Sequence, residues 1–116
     1  MANRKVAKSS LALAHSRRTM TRREEIKTMI RGVLDQHLAG TAYRAFLFGS
    51  QANQPELKRS DIDVGIWPEA TLSGSTLGAI LMDLEELPML YPVDVVDFSR
   101  ARESFRQVAL QNTEPL

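Results

Sequence analysis

The sequence predicts a small α/β fold, one sheet with helices packed against it. Three observations carry that expectation. Short runs rich in β-branched and aromatic residues alternate with segments of helical periodicity. The 116 residues suffice for one domain with a single modest core, and no internal repeat or low-complexity tract interrupts the alternation.

The first helix is expected from Thr21, which can cap it, with Glu24 three residues later as in a capping box. Ile26, Met29, Ile30, Val33, Leu34 and Leu38 then recur at three- and four-residue intervals until Gly40 stops the pattern. His37 lies on the same stripe and reads as a core-edge histidine rather than a ligand. Tyr43–Phe48 follows as a strand, broken by Gly49 where the chain must turn sharply, and a short helix is expected to begin near Ser50. Residues 54–60 hold Pro55 and several polar side chains and read as an exposed loop. In the next strand, 61–67, Asp61, Asp63 and Gly65 point one way and Ile62, Val64 and Ile66 the other. Residues 72–87 form a second amphipathic helix on Leu77, Ile80, Leu81, Leu84 and Leu87, ended by Pro88. Met82 and Met89 read as fillers of core gaps. A third strand over 93–98 and a short closing helix over 103–111 complete the chain.

Charge is unevenly spread. Of the 15 Lys and Arg, seven fall in residues 1–23, which contain no acid, leaving eight against 14 Asp and Glu in the remainder. The folded part is therefore acidic, which disfavours nucleic-acid binding outside residues 1–23, since neutralising phosphates requires a basic face. Residues 1–20 read as a basic, disordered extension ahead of a domain spanning 21–116. Met20 directly precedes the first periodic segment, so residues 1–19 also fit translation from an upstream start, ahead of a transit peptide. Without cysteine there is no disulfide framework, and no apolar run approaches a membrane span. Both fit a cytoplasmic protein.

The chemistry-bearing residues are concentrated. Gly49-Ser50 ends one apolar run, and ten residues later Asp61-Ile62-Asp63 opens another; Asp94 sits within a third, Pro92-Val93-Asp94-Val95-Val96. Gly-Ser alone is a common turn, and Asp-x-Asp at a strand start is often a cap. Two acids on one strand face, however, repel each other and are hard to explain by folding alone. Asp97 competes with Asp94 but, three residues on, faces the opposite side of an extended strand. Lys58 and Arg59 read as a solvated loop tip, Trp67 as the cap of a core rather than a base-stacking platform, and Tyr43 and Arg44 as strand residues.

Gly-Ser, ten residues, Asp-x-Asp and a later strand Asp together resemble the polymerase β-type nucleotidyltransferase superfamily. More narrowly they resemble the minimal nucleotidyltransferases, the MntA-type antitoxins encoded beside HEPN toxins. The resemblance covers residues 21–116 and implies a mixed sheet flanked by helices. It implies two Mg2+ ions as cofactors and ATP as substrate. Asp61 and Asp63 would bridge both metals, and Asp94 would complete the catalytic metal's ligands and help activate an acceptor hydroxyl. Two such ions about 3.5 to 4 Å apart stabilise the attacking and leaving oxygens of an in-line displacement, and hard cations take carboxylate oxygens. Gly49 would allow close backbone approach, while Ser50 would hold the β and γ phosphates at a helix N-terminus. One departure stands out. Many relatives follow Gly-Ser-x-Ala with Arg-Gly, and this chain has Asn53-Gln54 there.

The function implied is transfer of AMP from ATP to a hydroxyl, a tyrosine, on a HEPN-type ribonuclease toxin, releasing pyrophosphate. The chain is too short for a separate substrate domain, so a second chain is expected to supply the acceptor side. Two rivals remain open: an antitoxin that inhibits its partner by binding alone, and a transferase acting on a small molecule.

Overall fold

The computed structural model describes residues 20–57 and 61–116, so the expectations for residues 1–19 and for Lys58 and Arg59 lie outside the described residues. The elements in chain order are α1 (Arg22–His37), β1 (Tyr43–Phe48), a 3-10 turn (Gly49–Gln51), β2 (Ile62–Pro68), α2 (Gly74–Glu85), β3 (Val93–Asp97), α3 (Glu103–Ala109) and β4 (Thr113–Pro115). The four strands form one mixed sheet in the order β3-β2-β1-β4. β1 is antiparallel to both β2 and β4, and β2 is parallel to β3. The α/β expectation, with a mixed sheet flanked by helices, therefore holds.

Strand alternation divides the core in two. Ile62, Val64 and Ile66 of β2 and Ala45 and Leu47 of β1 face α1 and α2, where Ile26, Ile30, Leu34, Ile80 and Leu84 meet them in the larger cluster. Phe46 and Phe48 face the other way and pack with Phe98. Phe105 of α3 closes over this second cluster, its ring 5.9 Å from that of Phe48 and 5.7 Å from that of Phe98. Gly65 makes the aromatic packing possible, because a Cβ there would lie 2.4 Å from the Phe46 ring.

Both long helices begin as their sequences dictate. At α1 the capping box is complete: Thr21 Oγ1 accepts from the Glu24 N–H at 3.1 Å, and Glu24 accepts from the Thr21 N–H at 3.0 Å. Ser73 caps α2 by accepting from the Thr76 N–H at 3.1 Å. His37 is half-buried and pairs with Asp83 at 2.5 Å, joining α1 to α2. One expectation needs correction: Met82 is 65% exposed and fills no core gap, because it lies on the solvent side of α2. The short helix expected near Ser50 is a single 3-10 turn, Gly49–Gln51. After α3 the chain forms β4, which the sequence reading did not foresee.

Candidate active site

Strand register brings the acids to the glycine turn. Asp63 lies opposite Asp94 in the parallel β2–β3 pair and opposite Phe48, the residue before Gly49, in the antiparallel β1–β2 pair. Neighbouring strands run about 4.8 Å apart, and paired residues share a face. Asp63 is thus flanked by Asp94 on one side and by the start of the turn on the other. Asp61 immediately precedes β2, whose pairing begins when the Ile62 N–H donates to the Pro92 carbonyl at 2.8 Å. Asp61 and Asp94 are exposed and Asp63 is half-buried. Burial, then the negative charge of Asp94 and then that of Asp61, raises the Asp63 carboxyl above its ordinary range. Asp63 therefore lies within the electrostatic reach of both other acids, as its place on the sheet requires.

Gly49 is demanded twice. Its φ of +74° is left-handed backbone that an L side chain resists, and a Cβ there would fall 2.7 Å from Asp63 Oδ2. The turn it opens is short because Asn53 adopts φ +60° and Pro55 follows, neither of which continues a helix. A turn of this length has no appreciable macrodipole, so its attraction for an anion rests on individual N–H groups.

Asp97 does not join the acids. It is buried on the far side of β3, where it accepts from the Leu72 N–H at 3.3 Å and from the Ser99 N–H and hydroxyl at 2.9 and 2.6 Å. It ties the α2 entrance to the end of β3, a structural role away from Asp61, Asp63 and Asp94. Trp67 also takes the structural reading. Its ring is tilted against Phe98 at 6.0 Å, and the Arg44 and Arg106 guanidinium groups each lie 5.7 Å from its centroid.

Sequence reasoning missed the residues that hold the turn. Arg23, buried on α1, donates to the Gln51 carbonyl at 2.6 Å and pairs with Glu114 of β4. Lys27 also reaches Glu114, at 2.7 Å, and the Asn53 N–H donates to the same carboxylate at 2.7 Å. The Asn112 side-chain amide faces the Gly49 and Ala52 carbonyls at 3.4 Å each. Arg23 had a detectable signal, because it precedes Ile26 by three residues on the apolar stripe of α1 and a charge there calls for a partner. Glu114 and Asn112 had none, since β4 is too short to show a period.

Among the described residues, no three His, Cys, Asp or Glu side chains already converge to hold a metal ion. The donor set nevertheless fits a hard divalent cation: its groups are carboxylates, and the carboxyl at its centre is held against ionisation by burial and then by its neighbours' charge. The site is open, with Gly49 and Ser50 exposed beside Asp61 and Asp94. Also among the described residues, no helix is long and apolar enough to cross a membrane.

The family described as polymerase beta nucleotidyltransferase matches residues 30–116. Several solved structures share the fold. One is a chain of the tri-AMPylated Shewanella oneidensis HEPN toxin in complex with MNT antitoxin, with 21% identity and a TM-score of 0.62 over 79% of this chain and 69% of that one. Another, a crystal structure from Shewanella oneidensis, has 20% identity and a TM-score of 0.63 over 80% and 70%. A toxin–antitoxin crystal structure with AMP-PNP has 22% identity and a TM-score of 0.62 over 76% and 69%. No curated protein matches the chain.

Proposed function

Because this chain belongs to the polymerase β-type nucleotidyltransferase family, we propose that it is a minimal nucleotidyltransferase antitoxin that transfers AMP from ATP to a hydroxyl of a HEPN-type toxin. The observation that carries the reading is the register that sets Asp63 beside Asp94 and against the Gly49 turn. Folds shared with a complex holding a tri-AMPylated HEPN toxin and with a toxin–antitoxin structure containing AMP-PNP support AMP as the group and ATP as its source. The open, largely exposed site supports a partner chain as the acceptor side, and dependence on ATP supports a cytoplasmic setting.

In the proposed reaction Gly49 and the Ser50 N–H and hydroxyl hold the β and γ phosphates. The acceptor hydroxyl, a tyrosine in our reading, attacks the α-phosphorus; the bond to the bridging oxygen breaks and pyrophosphate leaves. Asp61, Asp63 and Asp94 would hold two Mg2+ ions, which when bound offset negative charge on the attacking and leaving oxygens. Asp94, exposed on β3 beside Asp63, helps take up the hydroxyl's proton. Added phosphate charge and bulk at a ribonuclease site would block RNA entry.

The test is the intact mass of the protein encoded beside this chain after incubation with the chain, ATP and Mg2+. Mass should rise in whole AMP units with the wild type and stay constant with the Asp61→Asn/Asp63→Asn double variant. Inhibition of the partner with no mass gain would replace transfer by occlusion.

A further inference from the structure

We infer that Asn53 and Asn112 are positioning residues: a side-chain pair that aims the Ser50 N–H at the nucleotide's phosphates, with Asn53 at the position where many relatives have the arginine of Arg-Gly. The inference rests on the nucleotidyltransferase reading and goes beyond it by explaining how this chain supports its phosphate turn without that arginine.

The argument starts from peptide geometry. In a trans peptide the C=O of one residue and the N–H of the next point in opposite directions, and no peptide bond among the described residues is cis. Whatever holds the Gly49 carbonyl therefore aims the Ser50 N–H. That carbonyl accepts from the Ala52 N–H at 3.2 Å within the turn and from the Nδ2 of Asn112, the residue before β4, at 3.4 Å. The same Asn112 nitrogen faces the Ala52 carbonyl at 3.4 Å, so one amide holds both ends of the turn. The Ser50 N–H consequently points away from β4.

Asn112 can do this only if its amide is oriented with nitrogen toward the turn. Asn53 sets that orientation by donating from Nδ2 to Asn112 Oδ1 at 2.8 Å, leaving Nδ2 of Asn112 for the two carbonyls. Asn53 is in turn fixed by a second donation to the Thr113 carbonyl at 3.0 Å and by its own N–H to Glu114 at 2.7 Å. Its φ of +60° is one that asparagine tolerates better than arginine. The same residue thus ends the turn, reaches β4 and directs the amide that holds Gly49.

The test uses the full chain. ATP binding in the presence of Mg2+ is measured by calorimetry, and KM and kcat are measured against the partner protein, for the wild type, Asn112→Ala and Asn53→Gly. Glycine adopts the left-handed backbone without cost, so Asn53→Gly removes the side chain while sparing the fold. We expect both variants to weaken ATP binding roughly three- to tenfold, the loss of about one oriented hydrogen bond, and to raise KM for ATP while kcat and KM for the partner hold. Wild-type affinity for ATP in Asn53→Gly and Asn112→Ala, or in Asn53→Gly alone should Asn112→Ala not fold, overturns the inference while leaving the nucleotidyltransferase reading standing. A wild-type chain that binds no ATP overturns that reading, and the inference with it.

Discussion

Gly49, in the turn after β1, and Gly65, inside β2, show how one residue type serves two ends. At Gly49 a methyl group would meet the Asp63 carboxylate and force an L residue into left-handed backbone; at Gly65 it would strike the Phe46 and Phe98 rings. Gly65→Ala should therefore be a stability lesion of roughly 1–3 kcal/mol from overpacking. Gly49→Ala should cost about 1–2 kcal/mol in backbone strain and lose transfer activity well beyond that, because it displaces Asp63. Thermal melts paired with AMP-transfer assays separate the two; equal ratios of activity to stability loss would count against the role given to Gly49. The need for glycine at position 49 was legible in the sequence, since the residue ends a strand and precedes Ser50. The contact with Asp63 was not, because it depends on which residue of β2 faces the end of β1.

Among the elements, β4 is the one that the sequence reading did not foresee. Its three residues pair antiparallel with Phe46, Leu47 and Phe48 at the end of β1, and through Glu114 they join α1 to the Gly49 turn. Burial opposes the charge on Glu114, but hydrogen bonds from Arg23, Lys27 and the Asn53 N–H prevail and hold its pKa at about 2, down from 4.5. A carboxyl lowered on folding adds stability above its unfolded value and loses that contribution as pH falls toward the folded one. The wild type should thus exceed Glu114→Gln by on the order of 1–2 kcal/mol at pH 7, allowing for partial solvent screening. That gap should close between about pH 4.5 and pH 2. Melting temperatures of both proteins across that range provide the check, and a gap independent of pH would remove the ionised carboxylate from the account. The long elements were readable from period and caps, as the complete Thr21–Glu24 capping box shows. The short helix expected at Ser50 is only one 3-10 turn long, because Asn53 ends it through a backbone angle that no periodicity encodes.

For the molecule as a whole, charge and exposure agree on the kind of partner. Residues 24–116 hold 14 acids against eight Lys and Arg, and the acids include the three at the open end of the sheet. That domain should not shift RNA in a gel at 150 mM salt, so any RNA affinity of the full chain should vanish when residues 1–20 are removed; retained binding would locate a basic face on the domain itself. The sequence by itself determined the α/β class, the apolar face of β2 and the stripes of the two long helices, and the acids' places along the chain, because strand alternation, helical period and a short motif are local properties of the chain. Only the tertiary structure decided which acids meet. Asp94 joins Asp63 while Asp97 turns to Leu72 and Ser99, because the register of β2 against β3 is fixed by contacts far apart in sequence. It also decided what holds the turn, since Arg23, Asn53 and the Asn112–Glu114 stretch come from three separate segments that only folding brings together.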